Sequence, residues 1–128
     1  MRIDHIGIAT EDSDVLADLY GDLFDASIVH EESVEDVWVT FLDVDGSYFE
    51  LVEPIETGST LVRYLEEHGP GLHHVALETD DIEGALNAAR EMGIVCIDDE
   101  PRSGAWDRDV AFLHPDSTGS VLFEFVAR

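Results

Sequence analysis

Hydrophobic and polar positions along the chain nearly repeat themselves. The run Ile3-Asp4-His5-Ile6-Gly7-Ile8-Ala9 has a counterpart in Leu72-His73-His74-Val75-Ala76-Leu77-Glu78. Both read as strands with a histidine inside an apolar stretch, and both lead into an acidic helix start. Val15, Leu16, Leu19, Tyr20, Leu23 and Phe24 recur with helical period, so a first helix capped by Asp12 or Ser13 should bury that face. Residues 26–30 then read as a second strand, 31–36 as a charged turn and 37–44 as a third strand. Asp45-Gly46 signals a tight hairpin into a fourth strand over 48–53, ended by Pro54. A short helix beginning at Ser59 or Thr60 and stopped by His68-Gly69-Pro70-Gly71 connects the halves.

The second half follows the same order. Strand 72–78 precedes a helix over 81–92 that carries Ile82, Ala85, Leu86 and Ala89 and stops at Gly93. Strands over 94–97, 108–114 and 121–126 complete it, with a turn at 116–119. Each half is therefore strand, helix, three strands. Helices are too few for a doubly wound sheet, so the class is α+β. The expected organisation is one domain: a βαβββ module over about 1–56, a connector helix over about 57–70 and a second module over about 71–128. A half of about 60 residues buries too little surface to be stable alone.

The repeat also carries chemistry. His5 and His74 hold matching places, as do Glu50 and Glu124, each of which interrupts a strand of large apolar residues. A lone strand histidine is more often a core residue, and a lone strand glutamate usually faces water. Together, two imidazoles and two carboxylates suit a divalent metal, and a buried carboxylate is costly unless paired or metal-bound. His73, beside His74, points to the opposite face and matches Asp4, so His73 reads as structural. His30, His68 and His114 have no repeat partner. Phosphate loops, cysteine metal pairs and serine-nucleophile motifs are absent from the sequence.

Composition narrows the setting. The 128 residues include 30 acids against 6 basic residues, a net charge of −24, with 45% hydrophobic residues to build a core. All the basic residues are arginine. Nucleic acid and anionic membranes are excluded as partners, because both are polyanions. The acids are spread along the chain. At about 1 M salt the Debye length falls to roughly 3 Å and their repulsion is screened, so the expected setting is the cytoplasm of an extreme halophile. The single cysteine, Cys96, reads as a small core hydrophobe. No apolar run is long enough to span a membrane, and the first strand begins at once, without a signal peptide.

The paired His and Glu of a βαβββ repeat resemble the vicinal oxygen chelate superfamily, and the resemblance runs almost end to end. Asp99-Glu100-Pro101-Arg102-Ser103-Gly104-Ala105, Phe112-Leu113-His114-Pro115 and Ser117-Thr118-Gly119 are similar to its methylmalonyl-CoA epimerase subfamily. The resemblance implies two modules forming a curved mixed sheet around a metal site, with His5, Glu50, His74 and Glu124 as ligands. It implies a divalent cofactor (Co2+, Mn2+, Mg2+, Zn2+ or Ni2+), an acyl-CoA thioester substrate and a homodimer. Epimerisation removes a proton from one face of a carbon and returns it to the other. Glu124 matches the family's acid/base position. The third strand lacks the glutamate of some members, so Glu50 is assigned the opposite face. Trp106-Asp107 replaces the more usual His-Gly, and Arg102 or Arg108 is a candidate for the substrate's phosphates or carboxylate. Alternatives are a glyoxalase I-type lyase, which uses the same ligand types, a non-haem iron dioxygenase and a metal-free binding module of the same fold.

The charge reading has a direct check. Between 0.1 and 2 M KCl the melting temperature should rise by on the order of 10 °C, equivalent to about 3 kcal/mol for a chain of this size. Indifference to salt in a thermal scan removes the halophile assignment.

Overall fold

The computed structural model describes residues 1–127. The elements are β1 (Arg2–Ala9), α1 (Ser13–Phe24), β2 (Ser27–Val34), β3 (Val37–Val44), β4 (Ser47–Pro54), α2 (Thr60–His68), β5 (Gly71–Glu78), α3 (Ile82–Glu91), β6 (Arg102–Ser103), β7 (Asp109–Phe112) and β8 (Phe123–Ala127). This is an α+β chain, as its repeat predicts. It forms two compact units: Ile6–His73, and Met1–His5 together with the chain from His74 onward.

In the Ile6–His73 unit the strands run in the order β2-β3-β4-β1, with β2, β3 and β4 antiparallel. The β3–β4 hairpin turns on Asp45 and Gly46, whose φ values of 53° and 93° give the left-handed turn that matches strand twist. α1 starts where the Asp12 carboxylate accepts the Val15 amide at 3.2 Å. Ser13 is tied to β4 by its backbone N–H and its hydroxyl, which donate to Glu53 at 2.7 and 3.2 Å. The helix lays Ala17, with Leu16 and Tyr20, against Ile8, Ala26, Leu42 and Leu51.

That packing corrects the expected face of α1. Val15, Leu19 and Leu23 are 64%, 52% and 63% exposed, and Phe24 is half exposed. The six apolar positions span two ridges of the helix, and the sheet takes only one. The small residues Ser13 and Ala17 allow close approach, so the buried stripe centres on them. The charged turn expected over 31–36 is also mostly strand: β2 continues to Val34, and Glu35 and Asp36 alone turn. β2 lies at the end of its sheet order, where one edge is open and charge is tolerated. His30 and Glu32 meet there at 3.2 Å.

In the other unit the order is β1-β5-β8-β7-β6. β5 and β8 are parallel, whereas β7 is antiparallel to both β8 and β6, so the sheet is mixed. α3 is capped by Asp81, which accepts the Gly84 amide at 2.9 Å. It buries Ile82, Leu86 and Ala89 against Ala111, Leu113 and Phe125, with Leu77 and Phe123 beside them. Strand alternation then assigns the opposite face to His74 and Ala76 on β5, Glu124 and Val126 on β8, and Val110 and Phe112 on β7. Ala76, Val110 and Val126 form a small cluster there.

The strand expected over 94–97 does not form. Its backbone bonds are scattered: Ile94 N–H donates to Ala89, His114 N–H to Val95, and Ile97 N–H to Phe112. One isolated bridge joins Cys96 to Leu113. Cys96 packs half-buried beside the α3 core. β6 instead forms at Arg102–Ser103, and β7 is shorter than the expected 108–114. No helix among the described residues is long and apolar enough to cross a membrane.

Truncation separates buried from exposed leucines. Leu51→Ala and Leu86→Ala should each cost about 3 kcal/mol, measured by urea unfolding at fixed KCl. Leu23→Ala should cost under about 0.5 kcal/mol; an equal cost at Leu23 would mean that α1 packs the other way.

Candidate metal centre

His5 ends the β1 segment of its unit, His74 sits on β5 and Glu124 on β8, level with Ala76 in the parallel register and with Phe112 in the antiparallel one. All three are buried, at 3%, 5% and 6% exposure. His5 Nε2 lies 3.2 Å from His74 Nε2 and 3.2 Å from Glu124 Oε1. One ligand atom from each falls within 4.8 Å of the other two. The imidazoles meet edge to face, and the His74 ring packs edge-on to Phe112.

The hydrogen bonding of His5 defines the site's chemistry. Its Nδ1 lies 2.7 Å from Asp4 Oδ2. A carboxylate only accepts, so the ring donates there, and in the neutral ring Nε2 is then a lone pair. That lone pair faces a carboxylate oxygen and a second imidazole nitrogen. A proton on His74 Nε2 relieves one of these two approaches. A divalent cation satisfies all three donors at once. The spacing fits: two nitrogens 3.2 Å apart, each about 2.0–2.1 Å from a zinc-sized ion, subtend roughly 100°. Two imidazoles and a carboxylate suit Zn, Fe, Ni, Co and Mn, and do not choose among them.

The model of the glyoxalase/bleomycin resistance protein/dioxygenase superfamily matches residues 4–112. The chain belongs to that superfamily. Its relatives include the uncharacterized protein YqjC of Bacillus subtilis, 34% identical over 96% of this chain and 89% of that protein. The ethylmalonyl-CoA/methylmalonyl-CoA epimerase of Cereibacter sphaeroides is 32% identical over 96% of this chain and 95% of its own length. Among solved structures, a variant of the Streptomyces coelicolor methylmalonyl-CoA epimerase in complex with 2-nitronate-propionyl-CoA is 34% identical. It superposes with a TM-score of 0.92, covering 99% of this chain and 96% of that one.

Of the four residues assigned from the superfamily resemblance, His5, His74 and Glu124 come together. Glu50 belongs to the Ile6–His73 unit, where it is buried on β4 opposite Phe41. The other histidines have separate partners. His73 packs edge-on to Tyr64, His68 lies against the same ring, and His114 Nδ1 accepts the Asp116 amide. Sequence reasoning missed Asp4, which entered only as the repeat partner of His73. The usable signal was the Asp-His dipeptide itself, an acid beside a candidate ligand inside an apolar strand. Arg108 is not a free loop cation: it lies 3.4 Å from Asp4 and is 10% exposed. Arg102 is the exposed one, 3.0 Å from Asp98 and stacked toward Phe112.

Titration of the metal-free protein with Co2+ or Zn2+ should show tight binding by calorimetry. His74→Ala should weaken it more than about 100-fold, beyond what loss of a partner to a ligand costs. Retained affinity in that variant would remove His74 from the site.

Proposed function

We propose that the chain is a metal-dependent epimerase that interconverts (2R)- and (2S)-methylmalonyl-CoA. The observation that carries this reading is the buried convergence of His5, His74 and Glu124, in a chain whose relatives include methylmalonyl-CoA epimerases. One solved relative, a methylmalonyl-CoA epimerase in complex with methylmalonyl-CoA and NH4+, is 34% identical to this chain with a TM-score of 0.92.

His5 and His74 would hold the cation with Glu124. When bound, the cation supplies Lewis-acid polarisation of the thioester carbonyl, which acidifies the neighbouring carbon. Glu124 then takes the α-proton from one face and can return it. Inversion needs a group on the other face. Glu50 is assigned to it, and to the fourth ligand position, on the sequence repeat and on its own burial. Phe112, beside His74, contributes an apolar wall that keeps water from the carbanion-like carbon. Arg102 is the accessible cation for a phosphate of coenzyme A, because Arg108 is committed to Asp4. The reading places the enzyme in the metabolism of propionyl-CoA, as a homodimer in a salt-rich cytoplasm.

Deuterium wash-in tests this directly. With (2R)-methylmalonyl-CoA in D2O at high KCl, metal-loaded protein should exchange the α-hydrogen and racemise the substrate, and stripped protein should not. Glu124→Gln should lose about 10²–10⁴ in turnover. Glu50→Gln should keep most of its metal affinity and lose most turnover; near-normal turnover sinks its role as second base. A folded, metal-loaded protein that exchanges nothing, yet converts methylglyoxal with a thiol, would make the chain a glyoxalase-type lyase.

A further inference from the structure

We propose that Asp4, Arg108 and Trp106 form a positioning chain that fixes the His5 ring for metal binding, anchored by a strained loop at Trp106. The inference rests on the metal-centre reading and concerns residues that the proton transfer itself does not use.

Asp4 is completely buried, and its Oδ2 accepts from His5 Nδ1 at 2.7 Å. A buried carboxylate needs compensation. Arg108 gives it, with Nη1 donating to the same oxygen at 3.4 Å. Arg108 is itself held from the far side, where its guanidinium carbon lies 4.2 Å from the centre of the Trp106 ring. The order is therefore indole, guanidinium, carboxylate, imidazole, with the metal-facing nitrogen of His5 at its end.

The anchor is built at a cost to the backbone. Trp106 has φ 63° and ψ 34°, and Asp107 has φ 55°. Two consecutive side chains occupy the left-handed region that favours glycine. Such strain persists where the surroundings over-determine it. The loop is closed by Gly104 N–H donating to Arg108 O at 2.8 Å. Gly104 is required there, since a Cβ would meet the Val110 methyls at 2.9 Å. The visible product of this strained turn is the indole lying on Arg108.

The chain explains why His5 Nδ1 faces a group that only accepts. His5 can present a lone pair at Nε2 only while Nδ1 keeps its proton. Without the Asp4 bond the neutral ring is free to carry the proton on Nε2, where it opposes a cation. Partners hydrogen-bonded to metal-ligating histidines set affinity in this way. A purely structural ion pair would change stability and leave the metal untouched.

The deciding experiment is a Co2+ titration followed by ligand-field absorption, on wild type, Asp4→Asn, Arg108→Lys and Trp106→Gly. Metal-free melting temperatures and long-range 1H–15N spectra of the imidazoles are recorded at the same KCl. Asp4→Asn should weaken Co2+ by about 10–100-fold and shift its bands. Arg108→Lys, which keeps the charge, should lose less. Trp106→Gly relieves the left-handed strain and should weaken Co2+ several-fold without lowering the metal-free melting temperature; it carries the test if Asp4→Asn fails to fold. Wild-type affinity and spectrum in both Asp4→Asn and Trp106→Gly, or affinity losses that only follow losses in melting temperature, overturn the proposal. If wild type takes up no cobalt, the metal-centre reading falls instead. The imidazole spectra then decide the positioning chain alone: His5 held with its proton on Nδ1 in wild type and mixed in Asp4→Asn supports it, and the same tautomer in both overturns it.

Discussion

Lone pairs that face one another away from water are the constraint around which one of the two units is arranged. His5 Nε2 and Glu124 Oε1 are both acceptors in a buried place, with His74 Nε2 beside them, and such groups repel unless a proton or a cation sits among them. The fold holds them together by ordinary means. α3 covers one face of the sheet with Leu86 and its neighbours, and strand alternation leaves His74 and Glu124 on the other. The α3 face serves packing, and the other face, which also carries Ala76, Val110 and Val126, serves the candidate metal site. Because successive residues of a strand face opposite ways, each function can be kept without disturbing the other.

Much of this was legible in the sequence because it is local. Asp12, Ser59 and Asp81 cap their helices as their residue types suggest, and Asp45-Gly46 turns the hairpin. The candidate ligands were legible because the chain repeats, and the repeat singles out His5 and His74 from six histidines. What could not be read depends on neighbours distant in the chain. The apolar positions of α1 define two ridges of equal appeal, and only the meeting with Leu42 and Leu51 chooses between them. Residues 94–97 have the composition of a strand, yet no neighbour offers them a continuous ladder. Arg108 reads as a candidate for the substrate's anionic groups until the turn brings it to Asp4.

The charge distribution and the core answer to different demands. The acids lie mainly outside the packed clusters; of the buried acids Asp4, Glu50 and Glu124, Asp4 and Glu124 meet His5. A chain with 30 acids and six basic residues leaves few cations to lock arginine–acid networks. Arg108 is therefore notable for being spent on an interior pair when the sequence holds only six basic residues.

The allocation of Met1–His5 to the unit that otherwise starts at His74 bears on how the molecule is made. The segment that completes that unit precedes the whole Ile6–His73 unit in the chain, and β8, which brings Glu124, is the last strand among the described residues. His5 and His74 are separated by 69 positions, and closing a loop of that length costs on the order of 4 kcal/mol of chain entropy before any contact repays it. During synthesis the Ile6–His73 unit has its whole sequence available before the chain from His74 onward is made, while residues 1–5 wait for β5 and the strands after it. The three-residue cluster therefore cannot be complete before β8 is in place, and a chain that lacks that strand holds at most the two imidazoles.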